Sequence, residues 1–169
     1  HKGFSFGNLK LVLKKLRDSL RELQPDIVFL QEVVGENKKK ASQFDEWPTQ
    51  SQCEFLADEV WSHYSYGKNA VYTEGHHGNA ILSKFPFKNQ FNTSISTNSL
   101  ESRGVLYGEV LIPDTQQTLH LFCLHLGLLH RDRVTQIESL KKLIQNQSPS
   151  SDPIIAAGDF NDWNGQLSQ

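Results

Sequence analysis

Pro25-Asp26-Ile27-Val28-Phe29-Leu30-Gln31-Glu32 is a short apolar run that delivers a carboxylate where its hydrophobic residues stop. Far downstream Ile154-Ile155-Ala156-Ala157-Gly158-Asp159-Phe160-Asn161 repeats the arrangement. The strands of an α/β sheet are buried on both faces, so polar side chains appear at their carboxyl ends, where ligands bind in the crevice outside the sheet. Two such ends imply one shared site.

Upstream of the first run, Leu9, Val12, Leu13, Leu16, Leu20 and Leu23 fall on one face at helical spacing, with Asn8 placed to cap the start and Pro25 marking the stop. After Glu32 the polar stretch from Gly35 to Gln50 reads as a long exposed loop, and its lysine run Lys38-Lys39-Lys40 as solvated rather than as a phosphate patch. Ser51-Gln52-Cys53-Glu54 fits a capping box, and Phe55, Leu56, Val60 and Trp61 give the next helix its buried side. From Tyr64 the pattern changes to short strands: 66–72, 79–82, 91–95, 105–112 and 118–126, with Pro113-Asp114 opening a hairpin turn between the last two. Arg131 to Gln145 returns to helical spacing through Val134, Ile137, Leu140 and Ile144, and the loop 148–153 leads into the final strand. Helix, strand, helix, a run of strands, helix, strand suits a mixed sheet system covered by helices. Nothing marks a second domain, a repeat or an oligomer interface, so residues 1–169 read as a single domain or a large part of one.

The charge balance narrows the partners. Seventeen basic against 19 acidic side chains leave a net −2, which argues against a broad duplex-DNA footprint, since non-specific binding there is mostly phosphate neutralisation. No segment has the apolar length of a transmembrane helix. Cys53 and Cys123 have no metal-ligand spacing, and Cys123 lies inside an apolar run as a buried thiol; a reducing, cytoplasmic compartment is the expectation from cysteine usage. The chain has no methionine and opens on His1-Lys2-Gly3, so it reads as a piece of something longer whose start could have carried a targeting segment.

Six residues carry candidate chemistry. Asp159 and Asn161 are two apart, so in extended backbone a carboxylate and a carboxamide share one side, although Gly, Asp and Asn are also turn formers. Glu32 has the hard oxygen that Mg²⁺ or Mn²⁺ prefers, against the plain reading of a surface carboxylate. His125 follows Leu121 and Cys123 on one face of a strand, where it is either a satisfied core histidine or an imidazole serving a phosphate at the strand end. Arg103 has a fork of donors for phosphate oxygens, with Glu101 as its rival partner. Asn79 follows glycine, which permits close backbone approach. His76-His77 sit adjacent and would point apart in extended chain, so they read as a solvated loop rather than a metal pair.

These pieces, in this order, resemble the endonuclease/exonuclease/phosphatase superfamily of metal-dependent phosphoesterases, which includes deoxyribonuclease I. The carriers are the run 25–32, Gly78-Asn79-Ala80-Ile81-Leu82-Ser83 with Phe85-Pro86-Phe87, Ser102-Arg103-Gly104, Leu124-His125-Leu126 and Gly158-Asp159-Phe160-Asn161. The resemblance implies an α/β (α+β) four-layer sandwich, two mixed β-sheets flanked by helices, incomplete at both ends. It implies Glu32 as the ligand of Mg²⁺ (or Mn²⁺), His125, Asp159 and Asn161 as catalytic, and Arg103 and Asn79 as substrate contacts. The implied reaction is in-line attack of an activated water on a phosphoester, with metal stabilising the developing charge. The substrate would be a small phosphodiester, a phospholipid head group or a nucleic acid. Family members also have an earlier strand ending in asparagine and a later Asp-His segment that these 169 residues do not reach, so weak or no activity is expected of the chain as given. The alternative is a non-catalytic metal- or phosphate-binding module that keeps the fold.

Overall fold

The computed structural model describes residues 12–45, 47–149, 151–163, 165 and 167. Among these lie α1 (Leu13–Leu23), β1 (Ile27–Asn37), α2 (Lys38–Ala41), α3 (Gln52–Ala57), β2 (His63–Tyr72), β3 (Gly75–Ser83), β4 (Phe87–Ser94), β5 (Gly104–Leu111), β6 (Thr118–His125), α4 (His130–Gln147) and β7 (Ile154–Asp159). Asn8 and Leu9, expected to start the first helix, fall outside the described residues.

Two sheets form. The first has the order β1-β3-β2 and is antiparallel throughout; the second has the order β4-β5-β6-β7 and is mixed, because β7 joins β6 in parallel after the α4 crossover. Period-2 alternation sorts their side chains into three apolar layers. Val28, Ala80 and Leu82 turn outward against Leu13, Leu16 and Leu20 of α1 and the α3 segment with Leu56 and Trp61. Ile81, Leu106, Val110, Leu121 and Cys123 turn inward and fill the space between the sheets. Val105, Tyr107, Phe122 and Leu124 turn outward against Ile137, Leu140 and Ile144 of α4. Three apolar layers between four layers of structure make the four-layer sandwich.

The capping box at Ser51 is present, with the Ser51 hydroxyl accepting from the Glu54 N–H and the Glu54 carboxylate accepting from the Ser51 N–H. The helix it starts is short. Asp58 takes φ 47°, so Val60 and the buried Trp61 lie beyond the helix, where Trp61 Nε1 donates to the Pro25 carbonyl at 2.9 Å.

Four expectations are corrected. The stretch after Glu32 is not one long loop, because β1 continues to Asn37 and Asn37 then caps α2, which carries the exposed lysines Lys38 and Lys39. β7 is not buried on both faces: it is an edge strand among the described residues, with Ile154 and Ile155 about two-fifths exposed (41% and 40%). Val134 is exposed, and the buried stripe of α4 runs instead through Arg133, Gln136 and Leu140. His76 and His77 lie in β3 rather than in a loop and are half-buried, His76 with Nδ1 3.0 Å from the Tyr66 hydroxyl.

Candidate active site

The carboxylate of the opening run is placed by a defect in pairing rather than by a strand end. β1 and β3 slip register between Leu30 and Val33, and Glu32 occupies the slip with φ 55°. Left-handed backbone at a residue with a Cβ costs on the order of 1–3 kcal/mol and persists where surrounding structure enforces it. The bulge has a clear geometric result. Leu30 and Val33 both pack on the outer layer with two residues between them, so Gln31 and Glu32 are both released toward the second sheet. Gln31 Nε2 reaches Cys123 Sγ at 3.5 Å, and Glu32 lines a small cleft shared with Asn79, Arg103 and His125.

His125 closes β6 at the position where the parallel partner β7 ends in Asp159, and the two residues are directly in register. His125 Nε2 lies 3.7 Å from Asp159 Oδ2. Burial and the neighbouring Arg103 guanidinium push the His125 ring below the ordinary imidazole range, with the Asp159 and Glu32 carboxylates pulling the other way. At neutral pH the ring is therefore uncharged and the contact with Asp159 is a polar approach rather than an ion pair. Gly158 is what lets β7 come this close: with φ 156° it presses on the Leu124 backbone, and any Cβ there would collide with the Leu124 carbonyl.

Asp159 and Asn161 do not share an extended strand as expected. The strand ends at Asp159 and Asn161 takes φ 48°; its backbone N–H donates to Asp159 Oδ1 at 2.9 Å, so the turn-forming reading governs here. The buried Asn161 side chain donates through Nδ2 to the Leu126 carbonyl at 2.8 Å. Arg103 Nε donates to that same carbonyl at 3.1 Å, while its Nη2 stands 3.4 Å from Glu101 Oε1. Arg103 thus has the rival partner foreseen from sequence and lines the cleft as well.

Asn79 is 1% exposed, and its Nδ2 donates to the carbonyls of Gly104 at 3.0 Å and Cys123 at 3.2 Å. Both hydrogens of its amide therefore span from β3 of one sheet to β5 and β6 of the other. Its first duty is to pin the sheets together at the floor of the cleft.

Four side chains at the site were not singled out from sequence as site residues. Asn69 and His77 line the cleft, and they are recognisable only once the strand pairing is known. Gln136 and Arg133, outside the apolar stripe expected for α4, hold the loop after His125: Gln136 Oε1 accepts from the Gly127 N–H at 2.8 Å, and Arg133 Nη1 donates to the Leu128 carbonyl at 2.6 Å. Residues i and i+3 share a helix face, but that face being turned inward has no signal in an apolar count.

The donor set favours a hard, well-hydrated cation over a closed cage. No three His, Cys, Asp or Glu side chains among the described residues converge as a ready ligand set, whereas Mg²⁺ characteristically takes one or two carboxylates and keeps its waters. Glu32 fits that requirement. Cys53 and Cys123 are free and buried, their thiols pushed up to about 12 by burial, so neither offers a thiolate.

Residues 3–167 match the model of the endonuclease/exonuclease/phosphatase family, and the chain belongs to that family. It is 45% identical over 163 residues to the uncharacterized protein YbhP of Escherichia coli K12, covering 96% of this chain and 64% of the relative, so it spans less than two-thirds of that protein's length. An endonuclease/exonuclease/phosphatase from Beutenbergia cavernae superposes with a TM-score of 0.73 at 18% identity, covering 95% of this chain and 45% of the other. The Danio rerio TDP2 complexed with a single-stranded DNA product superposes with a TM-score of 0.62 at 20% identity, covering 92% and 56%. Members of the family are hydrolases of phosphoester bonds and typically use a divalent metal. Among the described residues no helix is long and apolar enough to cross a membrane.

Proposed function

We propose that the protein to which this chain belongs hydrolyses a phosphoester with the help of Mg²⁺ or Mn²⁺, at the cleft between Glu32, Arg103, His125 and Asp159. The observation that carries the reading is the His125–Asp159 pair, in register across β6 and β7 at 3.7 Å, with Arg103 and Glu32 close enough to bias the same imidazole. Glu32 would hold the metal, whose chemistry is to stabilise charge on the phosphoryl oxygens and to acidify bound water. Arg103 presents its guanidinium to a phosphoryl oxygen. Asp159 orients the attacking water, with its own Oδ1 held by the Asn161 N–H. His125, kept neutral, can take or return a proton at Nε2 beside Asp159. Asn161 and Arg103 meet on the Leu126 carbonyl and so fix each other's position.

The substrate favoured is a small phosphoester or head group rather than duplex DNA. The net charge of −2 and a cleft with Arg103 as its guanidinium provide for one phosphate, not for a tracked backbone. The test is a hydrolysis screen of the full-length protein against nucleic acid, phospholipid and sugar-phosphate panels, with and without Mg²⁺ and with Asp159→Ala as blank. Metal-dependent turnover that the blank lacks supports the reading; identical behaviour of the two on every panel refutes it.

A second reading is a binding module without turnover, in which Arg103, held by the Leu126 carbonyl and lining the cleft, would grip a phosphate. It expects saturable binding of inorganic phosphate with no hydrolysis on any panel.

A further inference from the structure

α4 returns from the end of β6 to the start of β7, so its first turn stands where both parallel strands finish, beside His125 of one and Asp159 of the other. Two irregular segments leave the sheet there, 126–129 and 160–163. The first satisfies its backbone on side chains of other elements. The Leu126 carbonyl accepts from Asn161 and Arg103, the Gly127 N–H donates to Gln136, the Leu128 N–H donates to Glu101 Oε2 at 3.2 Å, and the Leu128 carbonyl accepts from Arg133. A segment paired in this way takes its position from those side chains rather than from a ladder of its own.

Arg133 reaches further than the others. Its Nη1 holds the Leu128 carbonyl at 2.6 Å, while its Nη2 stands 3.9 Å from Asp162 Oδ1. Asp162 is itself fixed, since its Oδ2 accepts from the Leu167 N–H at 2.9 Å. One guanidinium thus spans the two segments that follow His125 and Asp159. Nearer the sheet the same two strand ends are joined by the Leu126 N–H donating to the Asp159 carbonyl at 2.8 Å; Arg133 supplies the outer link.

Stability is a poor explanation for this residue. Arg133 is 6% exposed, and its Nε has no hydrogen-bond partner among the described residues. A buried ion pair can be exchanged for an apolar side chain of similar volume at little or no cost in stability. What an apolar residue cannot do is hold two acceptors at a fixed separation, which the planar fork of arginine does. Arg133 is not among the residues that line the cleft, so its effect on the chemistry passes through His125 and Asp159.

We propose that Arg133 is a positioning residue for the hydrolysis: by spanning the Leu128 carbonyl and Asp162 it fixes the ends of β6 and β7 against each other and so sets His125 against Asp159. The proposal rests on the phosphoester reading above and adds to it a residue of α4 that touches neither substrate nor metal.

The test uses the full-length protein with Mg²⁺, and bis(4-nitrophenyl) phosphate and 4-nitrophenyl phosphate as probes. Arg133→Met keeps the packing volume and loses both grips. Its kcat should fall about 10- to 100-fold, the size expected for a small misplacement of reacting groups, with KM within about two-fold of wild type and the urea midpoint close to wild type. Asp162→Ala should lower kcat to a similar level, and the double variant should be no worse than the lower single one. Arg133→Lys, which can hold one acceptor but not both, should keep the stability without recovering kcat. Without any substrate, hydrogen exchange at the Leu126 amide should quicken in Arg133→Met while the core amides of β5 keep their rates. The proposal is overturned if Arg133→Met turns over at the wild-type kcat, if its loss lies in KM, if kcat and the urea midpoint fall together, or if Arg133→Lys restores kcat. Losses that multiply in the double variant, or an unchanged Leu126 amide, overturn it as well. A wild type without metal-dependent turnover of either probe would strike the phosphoester reading and this proposal together, whereas an active wild type matched by Arg133→Met would strike the proposal alone.

Discussion

Asn161 and Arg103 donate to one carbonyl, that of Leu126, at 2.8 and 3.1 Å. Leu126 follows His125 directly, so the strand end that carries His125 is gripped from two sides, by Asn161 and by Arg103, which also lines the cleft. Asn161→Ala removes a buried donor and should cost about 1–3 kcal/mol in urea unfolding. It should also loosen His125, visible as broadening of that imidazole resonance. Asn161→Asp, which sets a carboxylate against the carbonyl, should be no better than alanine.

Glu32 sits in the left-handed region at φ 55°, a conformation asparagine tolerates better than glutamate. Glu32→Asn should therefore hold or raise stability by up to about 1 kcal/mol, while Mg²⁺ affinity measured by calorimetry falls. A variant that loses stability would mean the carboxylate, not the enclosing bulge, holds the backbone there.

Asn79 ties β3 to β5 and β6 through two carbonyls. Asn79→Ala should destabilise by about 2–4 kcal/mol, two buried acceptors losing their partner at once. The larger part of its effect should be on unfolding midpoint and the smaller part on ligand affinity; the reverse ordering would make it a substrate contact first.

The His125 ring is held below the ordinary imidazole value of 6.5 by burial and by Arg103. A histidine depressed in the folded state binds fewer protons than in the unfolded chain, so its contribution is present above about pH 6.5 and is lost as pH falls through the lower folded value. In metal-free protein, stability should decline on acidification through this window, and His125→Asn should flatten the decline. An imidazole titration at or above 6.5 would contradict the assignment.

What the sequence made legible were features with local causes: the capping box at Ser51, the face of β6 shared by Leu121, Cys123 and His125, the strand end at His125. The order of those elements implied a mixed sheet system covered by helices, and the family resemblance alone implied its four-layer arrangement. What it concealed were features set by pairing between distant strands. Nothing in Leu30-Gln31-Glu32-Val33 marks a bulge, because Glu is not a left-handed residue by preference and only β3 forces it there. Spacing alone puts Asn161 on the extended side of Asp159, whereas its φ of 48° folds it back onto Asp159 Oδ1. His76 and His77 read as a solvated loop because adjacent side chains point apart in extended chain, and only the pairing with β1 and β2 on either side places His77 in a central strand.

The central claim is that His125 and Asp159 act as one unit on a phosphoester. The most direct measurement is a double-mutant cycle on Mg²⁺-dependent hydrolysis by the full-length protein, with His125→Ala, Asp159→Ala and the pair. The account predicts that each single change costs about 10²–10⁴-fold in kcat and that the pair costs little more than the worse single change. Losses that multiply, or singles that turn over at the wild-type rate, would contradict it.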